Sequence, residues 1–355
     1  MISLITTVYN TPIDDLKRCF RSIQNQTYRD FEVIVVDDGS SREVALFLDD
    51  VSAEAKGRFS VYHIANHGVS HARNFGMDHV QGDYIAFCDA DDELTANFLE
   101  KSLGYMKTYN LDMISGGRVV VKYRDHEEIC ACKPPEHAIW LYTDTLPLLD
   151  YALSGYAQAE HREFGNILMA RVYPKLYRAE IAKRVRFLED IRMSEDNLYS
   201  FAVFSICSRV GLTDECWYIY HQNEYSLTHN NDGILSHRQA EQHDFAMQVL
   251  KEKQTAASAL ENAYNVRLFH IFLNYLSTML DSLSNLPAFF HMRQTPWGRA
   301  IQQADFSHYL CVSSSDRMYS RIVKSPILFM GYYLYRYSRH CLGTYKRKVK
   351  KHLNK

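Results

Sequence analysis

The chain has 355 residues, of which 46 % are hydrophobic and 23 % charged, and this balance excludes an intrinsically disordered protein. Its formal net charge of −2 averages two unlike regions. Residues 321–355 carry ten Lys and Arg and no acid, whereas residues 1–320 have a net charge of −12. Since an acidic body repels phosphate, the composition argues against a nucleic-acid-binding protein.

The start of the chain and its cysteines indicate a cytoplasmic protein. The chain enters an apolar run at Ile2 with no basic segment or cleavage site before it, so we expect no secretory signal. Eight scattered cysteines without a C-x-x-C pair argue against structural zinc and favour a reducing compartment. Cys19, Cys88 and Cys207 lie in apolar patterns and are predicted core residues. No stretch reaches the roughly 18 apolar residues of a membrane-spanning helix.

Short buried strands and amphipathic helices alternate through residues 1–115. The predicted strands are Ile2–Val8, Phe31–Val36, Ser60–Ile64 and Asp83–Cys88. The predicted helices begin after an N-cap at Thr11, near Ser41, at Gly68 (ending at Val80) and near Thr95. This alternation is typical of an α/β fold with a mostly parallel, doubly wound sheet.

The pattern after residue 115 is mixed. It contains a predicted strand at Val119–Tyr123, a loop over residues 133–147, a helix after Ser194 and a strand at Trp217–His221. Apolar residues recur at helical spacing over residues 235–283. We therefore expect a C-terminal helical region from residue 233 to residue 355.

Polar clusters follow three of the predicted strands, at Thr7–Asn10, Asp37–Ser40 and Asp89–Asp92. In parallel sheets the ligand crevice lies beyond the carboxyl ends of the strands, so we expect these clusters to meet there. Asp89 and Asp91 could share a divalent cation, which could bridge two phosphates. The alternative is a solvated turn that caps the helix near Thr95.

Other polar residues also allow two interpretations. Arg73 could contact a diphosphate, or it could form a surface ion pair. Asp196 could act as a general base at a helix start, or it could belong to an ordinary first turn capped by Ser194. The Asp37–Ser40 segment alone is an ordinary turn, and neither a G-x-G-x-x-G fingerprint nor a P-loop is present.

Taken together, the motifs resemble bacterial family 2 glycosyltransferases, which have the GT-A fold. The residues that carry the resemblance are Ser3–Asn10, Val35–Ser40, Gly68–Gly76, Gly82–Asp92, Lys175–Arg178, Glu195-Asp196 and Tyr218–Ser226. Two residues depart from the family pattern: Thr7 stands where proline is common, and His221 lies where arginine often occurs.

The resemblance implies an inverting transferase that uses a nucleotide-diphospho-sugar, most often a UDP-sugar, with Mg²⁺ or Mn²⁺. It implies a nucleotide-sugar-binding half at residues 1–115 and an acceptor-binding half at residues 116–232. The implied site residues are Thr7, Tyr9 and Asp38 for the uridine, Arg73 for the base or diphosphate, Asp89 for the ribose or a metal-bound water, Asp91 and Asp89 for the metal, and Asp196 for the general base. His221 is either a metal or diphosphate contact or a neutral surface histidine.

The basic tail suggests where such an enzyme would work. An apolar, aromatic segment at Ser325–Tyr335 followed by basic residues suits an anionic membrane surface. The alternatives are a last core helix with a solvated basic end, or a nucleic-acid contact. We expect a peripheral enzyme on the inner face of the cell membrane, with a glycan or lipid-linked acceptor in surface polysaccharide synthesis.

Two other functions share part of this sequence pattern. A nucleotidyltransferase acting on a sugar phosphate would share the parallel sheet, but its Gly-rich, Lys-containing first loop is replaced here by Thr7–Asn10. A non-catalytic sugar-nucleotide-binding protein is disfavoured because both acidic motifs are intact.

Overall fold

The structure is a computed structural model of the whole chain. It describes residues 1–55, 57–124, 127–131, 139–154, 171–191, 195–222, 246–253 and 257–269, together with the short pieces 158, 160–161, 164, 303–305 and 307.

Ten strands of the described residues form one sheet with helices beside it. The strands are β1 (Ile2–Val8), β2 (Phe31–Asp38), β3 (Phe59–Ile64), β4 (Tyr84–Phe87), β5 (Glu93–Leu94), β6 (Met113–Arg124), β7 (Glu127–Ala131), β8 (Ile139–Tyr142), β9 (Lys175–Arg178) and β10 (Val210–Gln222). The helices are α1 (Ile13–Gln24), α2 (Arg42–Glu54), α3 (Val69–Asp78), α4 (Phe98–Thr108), α5 (Leu146–Ser154), α6 (Ala179–Ala182) and α7 (Glu195–Phe204).

The sheet has the order β3-β2-β1-β4-β9-β6-β10-β5, with β7 paired to β6 and β8 paired to β10. Strands β3, β2, β1 and β4 are parallel, which confirms the prediction for the first half of the chain. Strand β9 lies antiparallel to both β4 and β6 and joins this half to the second, in which β6 and β10 run parallel. The complete sheet is therefore mixed.

The central parallel strands β1 and β2 are buried on both faces, which explains their nearly continuous apolar sequences. Residues Val33 to Val36 of β2 are at most 1 % exposed. The helix α3 packs on β1 and β2 through Gly76, where an added Cβ would lie 2.7 Å from the Ile5 side chain. This packing holds the carboxyl ends of β1 and β2 and the start of α3 at one edge of the sheet.

Several predicted boundaries are wrong because strand pairing or local geometry differs from the sequence pattern. Strands β6 and β10 begin at Met113 and Val210, which pair with each other, rather than at Val119 and Trp217. Strand β2 continues past Val36 because Asp37 and Asp38 still pair with β3. Helix α1 has Pro12 rather than Thr11 as its N-cap, without a side-chain capping bond. Helix α4 begins at Phe98 because the Thr95 amide is still bonded to the Trp217 carbonyl of β10. The predicted loop at 133–147 contains β8, which pairs with β10, and the start of α5.

Other predictions agree with the described residues. Cys19, Cys88 and Cys207 are buried in the core. Residues 246–252 and 261–269 are helical, within the segment predicted to be so. Among the described residues no helix has the length and apolar character needed to cross a bilayer. Ser194 and the basic tail at 321–355 lie outside the described residues.

Candidate active site

The polar clusters after β1 and β2 contact each other at the carboxyl edge of the sheet. The Asn10 amide donates to Ser40 Oγ at 2.9 Å, and the Ser41 amide donates to Asn10 Oδ1 at 2.8 Å. Thr7 is half-buried at the end of β1, whereas the Tyr9 side chain is 57 % exposed. This edge of the sheet thus presents an exposed aromatic ring beside two loops that are hydrogen-bonded to each other.

Asp38 is buried at the end of β2 and anchors the loop before α3. Its two carboxylate oxygens accept from the backbone amides of His67 and Gly68, each at 2.8 Å. Gly68 has φ 96°, a conformation that residues with a Cβ rarely adopt. Because each carboxylate oxygen has a second acceptor position, Asp38 retains capacity to accept from a ligand as well.

Arg73 lies in α3 and connects two acidic motifs that are far apart in sequence. Its Nη1 donates to Glu195 Oε1 at 2.8 Å, and its Nη2 donates to Asp89 Oδ1 at 3.1 Å. The guanidinium also lies 5.3 Å from the centre of the Phe187 ring. The two carboxylates raise the pKa of Arg73 against the opposing effect of burial. Arg73 is 6 % exposed, so its interpretation as a surface ion pair is wrong.

The acidic loop after β4 is part of the protein interior. Asp92 is fully buried and accepts from Tyr218 Oη and from the His221 amide, both at 2.8 Å. The Asp89 amide donates to the same Tyr218 oxygen at 3.1 Å. Burial, followed by the charges of Asp91 and Asp89, raises the pKa of Asp92 to about 9. The alternative of a solvated turn that caps a helix near Thr95 is therefore wrong.

Asp89 and Asp91 have the donor chemistry that Mg²⁺ and Mn²⁺ prefer. Burial and the charge of Asp89 raise the pKa of Asp91 to about 6, so a cation beside both would relieve their repulsion. The two carboxylates therefore fit a divalent cation whose other ligands come from substrate and water. Within the described ranges, no three His, Cys, Asp or Glu side chains are grouped to hold a metal by themselves.

His221 is buried rather than at the surface, so the surface interpretation is wrong. Its Nε2 lies 2.7 Å from Glu93 Oε1. Its contact with a metal or a diphosphate stays a prediction.

Asp196 lies in the first turn of α7, close to Glu195 and hence to the Arg73 bridge. Its Oδ1 accepts from the Asn197 amide at 2.8 Å, and Arg171 Nη1 lies 3.5 Å from its Oδ2. Burial raises the pKa of Asp196 despite the opposing charges of Arg171 and Arg73. A carboxylate with a raised pKa is a stronger proton acceptor, which suits a general base.

Two basic residues of the second half, Lys175 and Arg171, lie near Asp196. Neither of them, nor Arg118 of β6, was predicted as a site residue. Lys175 opens β9, is fully buried and donates from Nζ to the Arg171 carbonyl. Burial lowers the pKa of Lys175 to about 7, with the Asp196 charge opposing this effect. Lys175 directly precedes the apolar residues Leu176 and Tyr177 of β9 and could have been noticed in the sequence, but Arg118 and Arg171 carry no comparable signal.

The family of the chain follows from a comparison of sequences. Residues 3–184, just over half of the chain, match the model for glycosyl transferase family 2. The chain belongs to this family. Membership of this family favours glycosyl transfer over nucleotidyl transfer and over a purely binding role. The matched residues include Arg73 and Asp89 and end before Glu195 and Asp196.

Curated proteins similar to this chain include two bacterial glycosyltransferases. The chain is 30 % identical over 230 residues to the uncharacterized glycosyltransferase EpsJ of Bacillus subtilis, covering 64 % of this chain and 63 % of that protein. It is 25 % identical over 228 residues to the glycosyltransferase GlyA of Streptococcus pneumoniae, covering 64 % of this chain and 31 % of that protein. The chain therefore spans less than two thirds of the length of these relatives.

The fold is that of solved family 2 structures. Residues 1–349 of S. aureus TarS in complex with UDP align with a TM-score of 0.63 at 16 % identity, covering 96 % of this chain and 91 % of that one. The same part of TarS in complex with UDP-GlcNAc aligns with a TM-score of 0.61 at 17 % identity, covering 85 % and 80 %. This family 2 chain has the GT-A fold, with a central sheet flanked by helices.

Proposed function

We propose that this family 2 protein transfers a sugar, with inversion, from a nucleotide-diphospho-sugar to an acceptor hydroxyl. The observation that carries the proposal is the Arg73 bridge, which holds Asp89 of the strand-end loop next to Glu195 and so brings Asp196 to the same crevice. A donor site and a proton acceptor are the two parts that such a displacement needs. The binding of UDP and UDP-GlcNAc by TarS supports a UDP-sugar as the donor.

The donor's nucleoside is proposed to lie between the loops after β1 and β2. Thr7 and Tyr9 border this space, and the exposed Tyr9 ring offers a face on which a base can stack. Asp38 accepts from the uracil N–H with the lone pairs not used by His67 and Gly68. Arg73 contributes a fixed positive charge toward the base or diphosphate, and Asp89 contacts the ribose or a metal-bound water.

Asp91, with Asp89, would hold Mg²⁺ or Mn²⁺ beside the donor's diphosphate. The cation supplies charge neutralisation for the departing nucleoside diphosphate. The role of the two carboxylates is to place negative oxygen ligands at the end of β4, where burial already disfavours the uncompensated charge of Asp91.

Asp196 is the proposed general base. Its carboxylate takes the proton of the acceptor hydroxyl while the hydroxyl oxygen bonds to the anomeric carbon. The bond from that carbon to the diphosphate oxygen breaks at the same time, and the nucleoside diphosphate leaves with its electron pair. A single displacement from the opposite face inverts the anomeric configuration and needs no covalent enzyme intermediate.

The acceptor is proposed to be a glycan or a lipid-linked sugar of bacterial surface polysaccharide synthesis. The basic tail at residues 321–355 supports attachment to an anionic membrane on its cytoplasmic face, because basic residues near such a surface contribute about 1 kcal/mol each.

A donor screen tests the proposal. Thermal unfolding is measured with UDP-, GDP- and CDP-sugars in the presence of Mn²⁺, and release of the nucleoside diphosphate is followed in the same samples. We expect a UDP-sugar to raise the melting temperature by mass action and to be turned over slowly. Stabilisation by no nucleotide-sugar in the series would contradict a donor site.

A further inference from the structure

Arg118 and Arg171 form a basic pair on the second-half side of the crevice. Arg118 follows Gly117 in β6, where it pairs in register with Tyr218 of β10, the tyrosine that contacts the acidic loop. Arg171 precedes β9 and lies 3.5 Å from Asp196. Tyr218, the register partner of Arg118, stacks on Tyr173 with 4.1 Å between ring centres. Since Tyr173 follows Arg171 by two residues, this ring pair brings the backbones that carry the two arginines together.

The Arg118 guanidinium lies over an aromatic ring, but not all of its hydrogen-bond donors have an acceptor. Its guanidinium lies 5.0 Å from the centre of the Tyr220 ring. Its Nη1 is buried and has no hydrogen-bond partner in the part of the chain that the structure describes. A buried N–H donor without an acceptor costs free energy, and a ligand that supplies the acceptor removes this cost.

Arg171 is fixed through its backbone and leaves its side chain available. Its carbonyl accepts from Lys175 Nζ and from Ser200 Oγ, the latter at 3.1 Å. The side chain is 39 % exposed, and its contact with Asp196 is longer than a hydrogen bond. The backbone is thus positioned before any ligand arrives, while the guanidinium makes no hydrogen bond to another side chain within the described residues.

The balance of positive and negative side chains around Arg118 and Arg171 is opposite to that around Arg73, on the proposed donor side. On the donor side, Arg73 is matched by two carboxylates. On the second-half side, the one carboxylate that pairs with either arginine among the described residues is Asp196, at 3.5 Å. Two guanidinium groups, each with several N–H donors in one plane, outnumber the single carboxylate and suit an anion with several oxygen acceptors.

We propose that Arg118 and Arg171 bind an anionic group of the acceptor, a phosphate or a carboxylate, next to the hydroxyl that Asp196 deprotonates. This inference rests on the proposed function and narrows it to an acceptor that carries negative charge close to the reacting hydroxyl. The donor's diphosphate is a second source of the same chemistry, and the experiment separates the two.

The test measures phosphate binding with the donor site filled. The full-length protein is saturated with UDP and Mg²⁺, and inorganic phosphate is titrated at constant ionic strength while ³¹P line width and melting temperature are recorded. Arg118→Met and Arg171→Met are compared with Arg58→Met, a matched control because Arg58 also lies over a ring, 5.1 Å from the centre of Phe31. Arg118→Lys keeps the charge and serves if Arg118→Met does not fold.

We expect saturable phosphate binding in the wild type and in Arg58→Met. We expect it to weaken about tenfold or more in both methionine variants, as for loss of a charged hydrogen bond, and to be intermediate in Arg118→Lys. Unchanged phosphate affinity in the variants would overturn the inference. So would competition between phosphate and UDP, with UDP affinity falling in parallel, because the arginines would then serve the donor. Failure of the proposed function is distinguishable, since it shows as absent UDP binding in the wild type.

Discussion

Arg73 donates to Glu195 across 122 residues of sequence, and this hydrogen bond is part of a bridge that closes on Asp89. Both carboxylates depend on one buried guanidinium for their neutralisation. The acidic loop after β4 and the first turn of α7 are consequently fixed relative to each other.

Arg73→Met is expected to destabilise the protein by about 3–5 kcal/mol, because it leaves two largely buried carboxylates without their cation. Chemical denaturation measures this loss. Arg186→Met is the control, since Arg186 pairs with Asp78 at 2.6 Å at the surface, where an ion pair contributes about 1 kcal/mol or less. Equal losses in the two variants would contradict a structural bridge at Arg73.

Asp196→Asn is expected to lower kcat by about 10²- to 10⁴-fold while the UDP affinity stays within about twofold. The asparagine has the same shape but cannot take the proton of the acceptor hydroxyl. Transfer assays and UDP titration by calorimetry give the two quantities. A fully active Asp196→Asn protein would remove Asp196 from the role of general base.

The pH dependence of the reaction should reflect the environment of Asp196. Burial raises its pKa above the ordinary value of 3.8, so kcat/KM is expected to fall, as the pH is lowered, at a higher pH than an exposed aspartate would give. The ionised form is disfavoured by folding, so Asp196→Asn should be more stable than the wild type at neutral pH. This gain should vanish below the unfolded-state pKa, where both states bind the proton. The difference in melting temperature between Asp196→Asn and the wild type is measured from about pH 3 to about pH 7, a range that includes the ordinary pKa of an aspartate. A difference that stays constant over this range would contradict the burial effect.

Removal of divalent cations is expected to abolish transfer. EDTA should stop the release of nucleoside diphosphate, and added Mn²⁺ or Mg²⁺ should restore it. Asp91→Asn should lower the affinity for the metal by more than the roughly 10- to 100-fold typical of changes outside the ligand shell. Asp14→Asn, at a fully solvated acid whose side chain is 95 % exposed, is the control. Activity that is unchanged in EDTA would exclude the metal role of Asp91.

Lys175→Met should change how stability depends on pH. Burial lowers the pKa of Lys175 from 10.5 to about 7, so the unfolded chain binds this proton more tightly than the folded chain does. The wild type therefore gains stability as the pH rises through this interval, and the variant lacks this contribution. The melting temperature of Lys175→Met minus that of the wild type should therefore be largest near the folded-state pKa of about 7 and should decrease as the pH approaches 10.5. The exposed Lys183, which also donates to a backbone carbonyl, at 3.0 Å to Val80, gives the control Lys183→Met. Parallel curves for wild type and Lys175→Met would contradict the effect.

The sequence by itself determined the parallel half of the fold and the edge at which the site lies. Apolar strands such as Ile2–Val8 and the helical spacing of α1 are local patterns, because side-chain period and burial repeat within a few residues. The rule that ligands bind at the carboxyl ends of parallel strands then placed Asp38 and Asp89 at one edge. The same local patterns gave the start of α7 and so the position of Asp196.

Tertiary structure alone decided which charges meet at that edge. The partners of Arg73 lie 16 and 122 residues away, and the burial of Asp92 depends on Tyr218 from β10. The reversed strand β9 brings Lys175 and Arg171 beside α7, where they join Asp196. Ion pairs and buried hydrogen bonds depend on distances in space, and sequence spacing carries no record of these once the chain has crossed the sheet.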